Sequence, residues 1–495
     1  MRGRRNGVCR SMRGVAIPCS TMDHGQSPVS RIRTVYLFLI VLVMAAITII
    51  LQISNVAELK LLKPKVQFSK HDDVRDFPAD VGGIENTNSS KSAGGDALGK
   101  IASEVDETRP RSSSFACHND TTPEIKIAVF GGIKIIKQWQ ELSLLVNSFK
   151  LTEPNTYILN VTCPYQRTTP RLLIEEGVRV ACETKVTVTL TASMNILQGK
   201  DIVVLGMSPY SLKIKTKVMR TKISGGQLFV FYGVETPLRM HEWIPDVGRQ
   251  PVHSVWSYTS TSDTVIPYGR YVEFDTEIEV DVNELVSSKN KLVAWMGSNC
   301  VKQVFWPRMA FVNELQKYVQ VDTYGKCGNL TCLPRMSKRC QSLMGEYKFY
   351  LSLENAECRD YMTEKFWDTA LIQGAVPVVY GAKKSDYERV APPNSFIHVS
   401  DFDSVESLAK YLLLLDRNDV LYSRFFHWRR KGKIEMVFPP LLPSSFCDII
   451  QQYYLLQRGM VNTVDLAKTS WFQGCRYQVT KSYPSQALSG WKPWR

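Results

Sequence analysis

A cluster of polar and charged side chains follows an apolar run in the carboxyl-terminal half of the chain. The run ends at Leu353, and the polar residues after it are Glu354, Asn355, Tyr361, Thr363, Glu364 and Lys365. Thr363 is a typical helix-capping residue, so the helix predicted after it directs backbone N–H groups and the positive end of its dipole outward, beside Lys365. This combination suits a diphosphate, and Glu364 can accept hydrogen bonds from sugar or ribose hydroxyls. The simpler alternative is that these residues only begin a surface helix.

A second candidate is the carboxylate of Glu235, which follows the apolar run GQLFVFYG in the tripeptide Glu-Thr-Pro. A carboxylate beside a cleft can act as a general base toward a hydroxyl, provided that its pKa is raised toward the working pH. Most loop carboxylates are simply exposed to solvent, so an uninvolved loop residue is the alternative that the sequence leaves open.

Strand-like and helix-like segments that would position these residues alternate from Glu124 onward. The predicted strands and helices include EIKIAVFGG, DIVVLGM, GQLFVFYG, KLVAWMGSN, MAFVNELQKYV, VQVDTYG, YKFYLSLEN, EKFWDTALIQGA, VPVVYG and SFIHV. A last helix, SLAKYLLLL, is expected to be capped by Asp403, with Glu406 three residues on. The pattern predicts an α/β fold with two Rossmann-like domains that have parallel sheets and face a cleft. Ligands in such folds bind beyond the carboxyl ends of strands, where Glu235 and the polar cluster fall.

An uncharged run of nineteen residues, Val35 to Ile53, precedes this region. As a helix it spans roughly 28 Å, enough for a thin bilayer. A cleaved signal peptide is the alternative, but the run is long, begins late and lacks an A-x-A-like exit. Seven arginines lie before it, so the positive-inside rule predicts a cytosolic amino terminus and a lumenal remainder. We expect these segments: 1–34 cytosolic tail, 35–53 transmembrane anchor, 54–123 flexible stem, 124–285 and 286–435 the two domains, and 436–495 a carboxyl-terminal extension.

The composition of the 495 residues, 44% hydrophobic and 10% aromatic, excludes a disordered or fibrous protein. The formal net charge is +14, but the seven arginines and Asp23 of residues 1–33 account for +6 of it. The remaining excess, 14 − 6 = +8, is spread along the rest of the chain. No run of basic residues interleaved with aromatic residues stands out in the sequence. Nucleic acid is therefore not an expected partner.

Cysteines and glycosylation sequons agree with a lumenal location. Ten of the twelve cysteines, from Cys117 to Cys475, lie beyond the apolar run, an even number that favours disulfides. Cys327, Cys332, Cys340 and Cys358 lack the spacing and the nearby histidine of a zinc site, so local disulfides are favoured. Four sequons begin at Asn88, Asn119, Asn160 and Asn329.

The central stretch resembles the motif of α1,3-fucosyltransferases, which runs approximately F-E-N, D-Y-x-T-E-K and V-P-V-V-x-G. The matching segments are Leu353 to Asn355, Asp360 to Lys365 and Val376 to Gly381. The similarity continues to Tyr422, His427 and Trp428 and covers most of residues 124–450. It implies a type II Golgi membrane enzyme with a GT-B fold that uses GDP-fucose and has no obligatory metal. Stimulation by Mn2+ stays open, although Asp401-Phe402-Asp403 is interpreted as a strand-to-helix cap.

The resemblance also suggests roles for single residues. Glu235 matches the family's presumed base in E-S-P, and Asn355, Tyr361, Glu364 and Lys365 match donor-site positions. Ser298-Asn299-Cys300 is similar to S-N-C, after which relatives place a donor arginine. Arg308 takes that position, although the interval is two residues longer and Lys302 competes as the cation.

The sequence departs from the family pattern at two places, which affect the predicted acceptor contacts and the predicted disulfide of the carboxyl-terminal segment. Thr259 and Thr261 replace an arginine and an aspartate of the family pattern S-Y-R-x-D-S-D, which puts the acceptor contacts of relatives in doubt. Cys447 lacks the close cysteine partner of relatives, and a bridge over a longer loop to Cys475 is the alternative.

The sequence thus predicts an inverting α1,3-fucosyltransferase that moves L-fucose from GDP-fucose to an N-acetylglucosamine hydroxyl. The acceptor is an N-glycan or N-acetyllactosamine, and the oligomeric state is not predicted. The alternative is a catalytically silent lumenal protein that binds glycans or assists folding.

Overall fold

The computed structural model describes residues 123–131, 150–153, 156–163, 184–207, 226–333, 337–439, 441–477 and 485–495. They all lie within one compact unit, residues 64–495. The apolar run Val35 to Ile53, the tail before it and the stem up to residue 122 lie outside the described residues. Within the described ranges, no helix is long and apolar enough to cross a membrane.

An α/β fold is confirmed, because two sheets with largely parallel strands are joined by helices. The strands of the amino-terminal half are β1 (Glu124–Phe130), β2 (Lys150–Glu153), β3 (Thr156–Cys163), β4 (Thr184–Thr191), β5 (Ile202–Leu205), β6 (Leu228–Gly233), β7 (Pro251–Val252), β8 (Ser254–Ser257) and β9 (Thr264–Val265). Eight of these form one sheet in the order β2-β3-β4-β1-β5-β6-β8-β9. The prediction of a purely parallel sheet is wrong at one edge, where β2, β3 and β4 pair antiparallel.

A second sheet is wholly parallel among the described strands and has the order β12-β11-β13-β14-β15. The remaining strands are β10 (Gly269–Glu273), β11 (Lys291–Met296), β12 (Val321–Tyr324), β13 (Tyr347–Leu353), β14 (Val376–Tyr380), β15 (Ile397–His398), β16 (Gly432–Met436) and β17 (Val464–Asp465). The runs YKFYLSL and VPVVY are almost entirely buried, and KLVAWM is buried at its centre, because helices cover both faces of a parallel sheet. Strand β10 pairs with β16, and β7 pairs with β17.

Helices fill the connections between the strands. The α-helices are Pro237–Trp243, Val282–Ser287, Arg308–Leu315, Lys338–Met344, Lys384–Val390, Val405–Asp416, Asp419–Ser423, Ile450–Gln457 and Ser470–Gln473, and Lys365–Ile372 is a π-helix. The shorter 3₁₀ segments are Asn195–Leu197, Val247–Arg249, Gly325–Cys327, Val399–Asp401, Arg424–Arg430, Pro443–Cys447 and Leu466–Lys468.

The predicted cap of the last helix is wrong by one residue. Ser404, rather than Asp403, caps Val405–Asp416, and its hydroxyl accepts from the backbone N–H of Ser407 at 3.0 Å. The Ser407 hydroxyl oxygen in turn accepts from the Ser404 N–H at 3.1 Å, so Ser407 takes the place expected of Glu406 in the capping box.

Four disulfides connect the described cysteines: Cys163–Cys447, Cys300–Cys327, Cys332–Cys340 and Cys358–Cys475. Local pairing is confirmed for Cys332–Cys340 and holds for Cys327, whereas Cys358 bonds far along the chain. The alternative of a Cys447–Cys475 bridge is wrong, since Cys447 bonds to Cys163 at the end of β3. The two long-range bridges attach the carboxyl-terminal extension to both halves of the molecule.

Candidate active site

The six predicted site residues line one cavity of about 220 Å³ between the two sheets. Its lining comprises Glu235, Tyr268, Met296, Gly297, Ser298, Asn299, Arg308, Cys340, Gln341, Met344, Tyr350, Asn355, Tyr361, Glu364, Lys365, Asp368 and Thr369. Glu235 comes two residues after the end of β6, and Asn355 comes two residues after the end of β13. The cavity therefore lies at the carboxyl ends of strands from both sheets, as expected for a ligand site in open α/β folds.

Glu235 lies in the loop between β6 and the helix Pro237–Trp243. The next residue, Thr236, caps that helix by accepting from the Arg239 N–H at 3.3 Å, and the Glu235 carbonyl accepts from the Trp471 indole at 3.0 Å. Its carboxylate accepts from the Tyr361 hydroxyl at 3.2 Å. Burial raises the pKa of Glu235, while the positive charges of Lys365 and Arg239 oppose this rise. A half-buried carboxylate with a raised pKa has the property that a general base requires.

Tyr361 is buried against aromatic residues from the segments that follow β8 and β9. Its ring centroid lies 4.9 Å from that of Tyr258 and 6.3 Å from that of Tyr268. Tyr268 is held in turn by the Val234 carbonyl, which accepts from its hydroxyl at 2.9 Å. The Tyr361 side chain, in the loop after β13, thus packs against loops of the amino-terminal half.

Lys365 is fixed by a fully buried carboxylate, Glu354. Its ammonium lies 3.0 Å from Glu354 Oε2, 2.8 Å from Thr363 Oγ1 and 3.4 Å from Glu364 Oε1. Burial lowers the pKa of Lys365, but the carboxylates of Glu354 and Glu364 outweigh this effect and the net pKa is raised. Lys365 therefore remains protonated at every physiological pH.

Glu354 also organises the turn that precedes the π-helix. It accepts from the Thr363 N–H at 2.8 Å and from the Thr363 hydroxyl at 2.8 Å. Glu364 directly precedes the π-helix without a side-chain cap bond, while Thr363 Oγ1 accepts from the Lys365 N–H at 3.4 Å, so the predicted cap role of Thr363 is kept by a long hydrogen bond. Gly381 ends VPVVYG with φ +142°, and a Cβ there would lie 2.6 Å from the Glu354 Cβ. The glycine is required by this close approach.

Arg308 lines the cavity, but main-chain carbonyls occupy part of its guanidinium. Nη1 donates to the Leu353 carbonyl at 3.0 Å, and Nη2 donates to the Asn299 carbonyl at 2.6 Å. Burial lowers the pKa of Arg308 to about 10, with Glu354 opposing this shift. Arg308 begins its helix and holds the ends of β11 and β13 together, while the competing cation Lys302 is exposed and does not line the cavity.

Asn355 presents an unused acceptor to the cavity. Its main-chain carbonyl accepts from the Phe305 N–H at 2.8 Å, whereas its buried Oδ1 atom has no hydrogen-bond partner among the residues that the structure describes. A buried polar atom without a partner costs free energy unless a ligand satisfies it.

Sequence reasoning missed a wall of the cavity that the helix Lys338–Met344 contributes. Gln341 donates to Asp368 Oδ2 at 2.6 Å, which ties this helix to the π-helix, and the Cys332–Cys340 disulfide fixes its first turn. Glu354 had been placed in the polar cluster without a role of its own. Its position directly before Asn355 at the end of a buried strand was the available signal.

A carboxylate in one sheet thus faces a fixed cation and an open amide acceptor in the other. This arrangement fits a transferase that activates a hydroxyl beside an anionic leaving group. Among the described residues, no group of three or more His, Cys, Asp or Glu side chains could hold a metal ion.

The model for the carboxyl-terminal domain of glycosyltransferase family 10, the fucosyltransferases, matches residues 286–465. The chain is 31% identical over 365 residues to alpha-(1,3)-fucosyltransferase 7 of Bos taurus, an alignment that covers 71% of this chain and 97% of that protein. It is 37% identical over 252 residues to glycoprotein 3-alpha-L-fucosyltransferase A of Drosophila melanogaster, covering 50% of this chain and 48% of that protein.

A solved structure, an alpha1,3-fucosyltransferase with GDP-fucose, has 15% sequence identity and a TM-score of 0.40, over 69% of this chain and 92% of that chain. That structural likeness is too low to identify a fold. The sequence relationship to the bovine protein is sufficient, and the chain belongs to the fucosyltransferases of glycosyltransferase family 10. It is therefore a glycosyltransferase, and the alternative of a silent glycan-binding or folding protein has no support. The match spans only about half of the Drosophila relative's length, 48%.

Proposed function

We propose that the protein transfers L-fucose from GDP-fucose, with inversion, to the 3-hydroxyl of an N-acetylglucosamine residue in a glycoprotein glycan. The observation that carries the proposal is the convergence of Glu235, Asn355, Tyr361, Glu364 and Lys365 on one cavity. These residues come from segments more than a hundred positions apart, and their types supply a base, a cation and hydroxyl-binding groups. Family membership adds the sugar and the class of transfer.

In the proposed reaction Glu235 accepts the proton of the acceptor hydroxyl while that oxygen attacks the anomeric carbon of fucose. The bond from this carbon to the diphosphate oxygen breaks, and GDP leaves. Lys365 offsets the negative charge that develops on the diphosphate, and Arg308 adds positive charge from beneath. Asn355 Oδ1 and Glu364 are the acceptors available to hydroxyls of the donor.

We further propose a GT-B arrangement in which residues 124–285 present the acceptor and residues 286–435 hold GDP-fucose. Both halves contribute a strand end to the cavity, which supports this division of labour. The apolar run Val35 to Ile53 and the arginines before it support a single-pass type II protein of the Golgi membrane with a lumenal head. The disulfides among the described cysteines are consistent with an oxidising compartment.

The acceptor is proposed as an N-glycan. The name of the Drosophila relative refers to glycoprotein, and the segments VDTYGKCGNLTC and APPNSFIHV resemble members that modify the N-glycan core. Lewis-type antennae are the second candidate, because the family that this sequence resembles also includes members that build Lewis-type structures.

A transfer assay with the purified full-length protein and radiolabelled GDP-fucose tests the proposal. Chitobiose-core glycopeptides and N-acetyllactosamine are offered separately, with GDP-mannose as the control donor. We expect label on the core acceptor from GDP-fucose and none from GDP-mannose. Label on N-acetyllactosamine alone would replace the proposed acceptor, and no transfer to either would refute the activity.

A further inference from the structure

One hydrogen bond in the cavity connects the two sheets at the candidate base. The Tyr361 hydroxyl donates to Glu235 Oε2 at 3.2 Å, and these residues are 126 positions apart. Tyr361 is only 2% exposed, so its hydroxyl has little access to water as an alternative partner. A buried donor of this kind restricts the orientation of the carboxylate that it serves.

The residue before Tyr361 is held by a separate cross-sheet contact. Asp360 adopts φ 62°, a left-handed conformation that is uncommon for residues other than glycine. Its Oδ2 atom accepts from the Ser260 N–H at 2.8 Å and from the Ser260 hydroxyl at 2.7 Å. Its other oxygen accepts from Arg389, and its own N–H donates to Asp386 Oδ2 at 3.2 Å. This cross-sheet contact of Ser260, Asp360 and Arg389 is named the Asp360 clamp.

The loop that carries Ser260 is itself well ordered by internal hydrogen bonds. Asp263 accepts from the Val255 N–H at 2.7 Å, and Ser257 accepts from the Thr259 N–H at 3.2 Å. Tyr258 of the same loop packs against the Tyr361 ring. The loop in which this chain departs from the family pattern therefore fixes both the backbone before Tyr361 and the Tyr361 ring.

We infer that Tyr361 is a positioning residue for Glu235 and that the Asp360 clamp holds it in place. The Tyr361 hydroxyl keeps Oε2 occupied, so that Oε1 remains for the acceptor hydroxyl. This inference rests on the proposed function of Glu235 as the base. It goes beyond the prediction that Tyr361 helps to hold the donor, and it makes the geometry of the base depend on the approach of the two sheets.

Several charged or titratable groups act on Glu235 besides Tyr361. They are Arg239 on the helix Pro237–Trp243, Glu364 and Lys365 at the π-helix, and the neighbouring tyrosines Tyr258 and Tyr268. Burial raises the pKa values of the tyrosines, and nearby carboxylates raise that of Lys365, so neither the tyrosines nor Lys365 titrates between pH 5 and 8. An acidic limb of the rate profile in that range therefore belongs to a carboxyl group.

The hydrogen bond from Tyr361 lowers the pKa of Glu235 against the larger effect of burial. Tyr361→Phe removes only the hydroxyl, so the carboxyl pKa should rise and the base should become protonated at higher pH. We expect the acidic limb of kcat to move upward by about one pH unit. At a pH on the acidic limb kcat should fall about tenfold, and at higher pH, on the plateau of the profile, it should return to the wild-type value. KM for GDP-fucose should change less than about twofold.

The matched control is Tyr453→Phe, because the Tyr453 hydroxyl also donates to a carboxylate, Asp201 Oδ1, at 3.1 Å, and it lies away from the cavity. It should leave the limb in place. Ser260→Ala is the second variant, on an exposed residue, and should shift the limb in the same direction by a few tenths of a pH unit because only one bond of the clamp is lost.

A Tyr361→Phe variant with a raised KM and an unmoved limb would make Tyr361 a donor ligand only and would overturn the inference. A loss that is equal at every pH would do the same, since that is the signature of a structural role. If the limb vanishes in Glu364→Gln, it belongs to Glu364 and the inference fails. Glu235→Gln distinguishes failure of the proposed function from failure of this inference. Retained turnover in Glu235→Gln would show that Glu235 is not the base. Lost turnover in Glu235→Gln, together with an unmoved acidic limb in Tyr361→Phe, would refute only the inference about Tyr361.

Discussion

Replacing Lys365 by methionine removes the fixed cation of the cavity while keeping an unbranched apolar stem. Charge-assisted hydrogen bonds are worth about 1.5–3 kcal/mol, which corresponds to roughly 10- to 100-fold weaker GDP binding. The measurement is isothermal titration of GDP into the full-length protein. Lys384→Met is the matched control, since Lys384 pairs with Asp401 at 2.8 Å and is similarly buried, outside the cavity. The control should retain GDP affinity.

Lys365→Met also leaves Glu354 as a buried carboxylate whose remaining side-chain donor, among the described residues, is Thr363. Removing one partner of a buried pair costs about 3–5 kcal/mol. Because the Lys365 side chain is 22% exposed and Glu354 can take up a proton, we expect a smaller loss, about 2–3 kcal/mol in urea unfolding at pH 7.

The loss of stability in Lys365→Met should depend on pH in a defined direction. Burial already raises the pKa of Glu354, and Lys365 opposes this effect, so its removal raises the pKa further. When a carboxyl group has a higher pKa in the folded than in the unfolded state, the free energy of unfolding decreases as pH rises from the unfolded-state pKa to the folded-state pKa. The destabilisation should therefore shrink as pH falls through the raised pKa of Glu354.

The double variant Lys365→Met, Glu354→Gln distinguishes stability from binding. It removes the unpaired charge, so most of the lost unfolding free energy should return, whereas GDP affinity should remain low. Unchanged GDP affinity in the single variant, or restored affinity in the double variant, would refute the role of the Lys365 charge in donor binding.

Three further predictions concern the frame around the cavity and the metal requirement. Cys358→Ser with Cys475→Ser opens a bridge across 117 residues and should lower the unfolding free energy by about 2–4 kcal/mol in urea titrations; an unchanged midpoint would contradict the bracing role. Trp491→Ala removes a ring stacked 5.5 Å from that of Trp306, whose indole donates to the Glu354 carbonyl at 2.8 Å. It should lower the free energy of unfolding by about 2 kcal/mol and weaken GDP binding. Full GDP affinity in this variant would show that the contact does not support the donor site. Because Lys365 and Arg308 offset the diphosphate charge, excess EDTA should slow transfer less than about twofold, and complete loss that Mn2+ restores would contradict this.

The strands and the cavity follow from local patterns in the sequence. KLVAWM, YKFYLSL and VPVVY are apolar runs of strand length, and parallel strands buried on both faces need such runs. Since ligands bind beyond the carboxyl ends of parallel strands, the apolar runs that end at Gly233 and Leu353 predicted Glu235 and Asn355 as site residues, although the two strands belong to different sheets.

Features that depend on distant partners were not predictable. Cys447 pairs with Cys163 across 284 residues, and no local spacing specifies that choice. Arg308 occupies the expected place, but the direction of its guanidinium depends on the carbonyls of Asn299 and Leu353, which only the folded sheet brings together. The helix cap moved from Asp403 to Ser404 because either residue type can cap, and backbone geometry decides between neighbours.

The central claim is that Glu235 acts as the base beside a separate GDP-fucose site, and Glu235→Gln tests it most directly. Fucose transfer and GDP binding are measured on the same full-length preparation. The account predicts that transfer falls at least about 100-fold, since the amide cannot accept the proton, while the Kd for GDP stays within about twofold. Transfer that persists at the original rate, or GDP affinity that falls together with transfer, would contradict it.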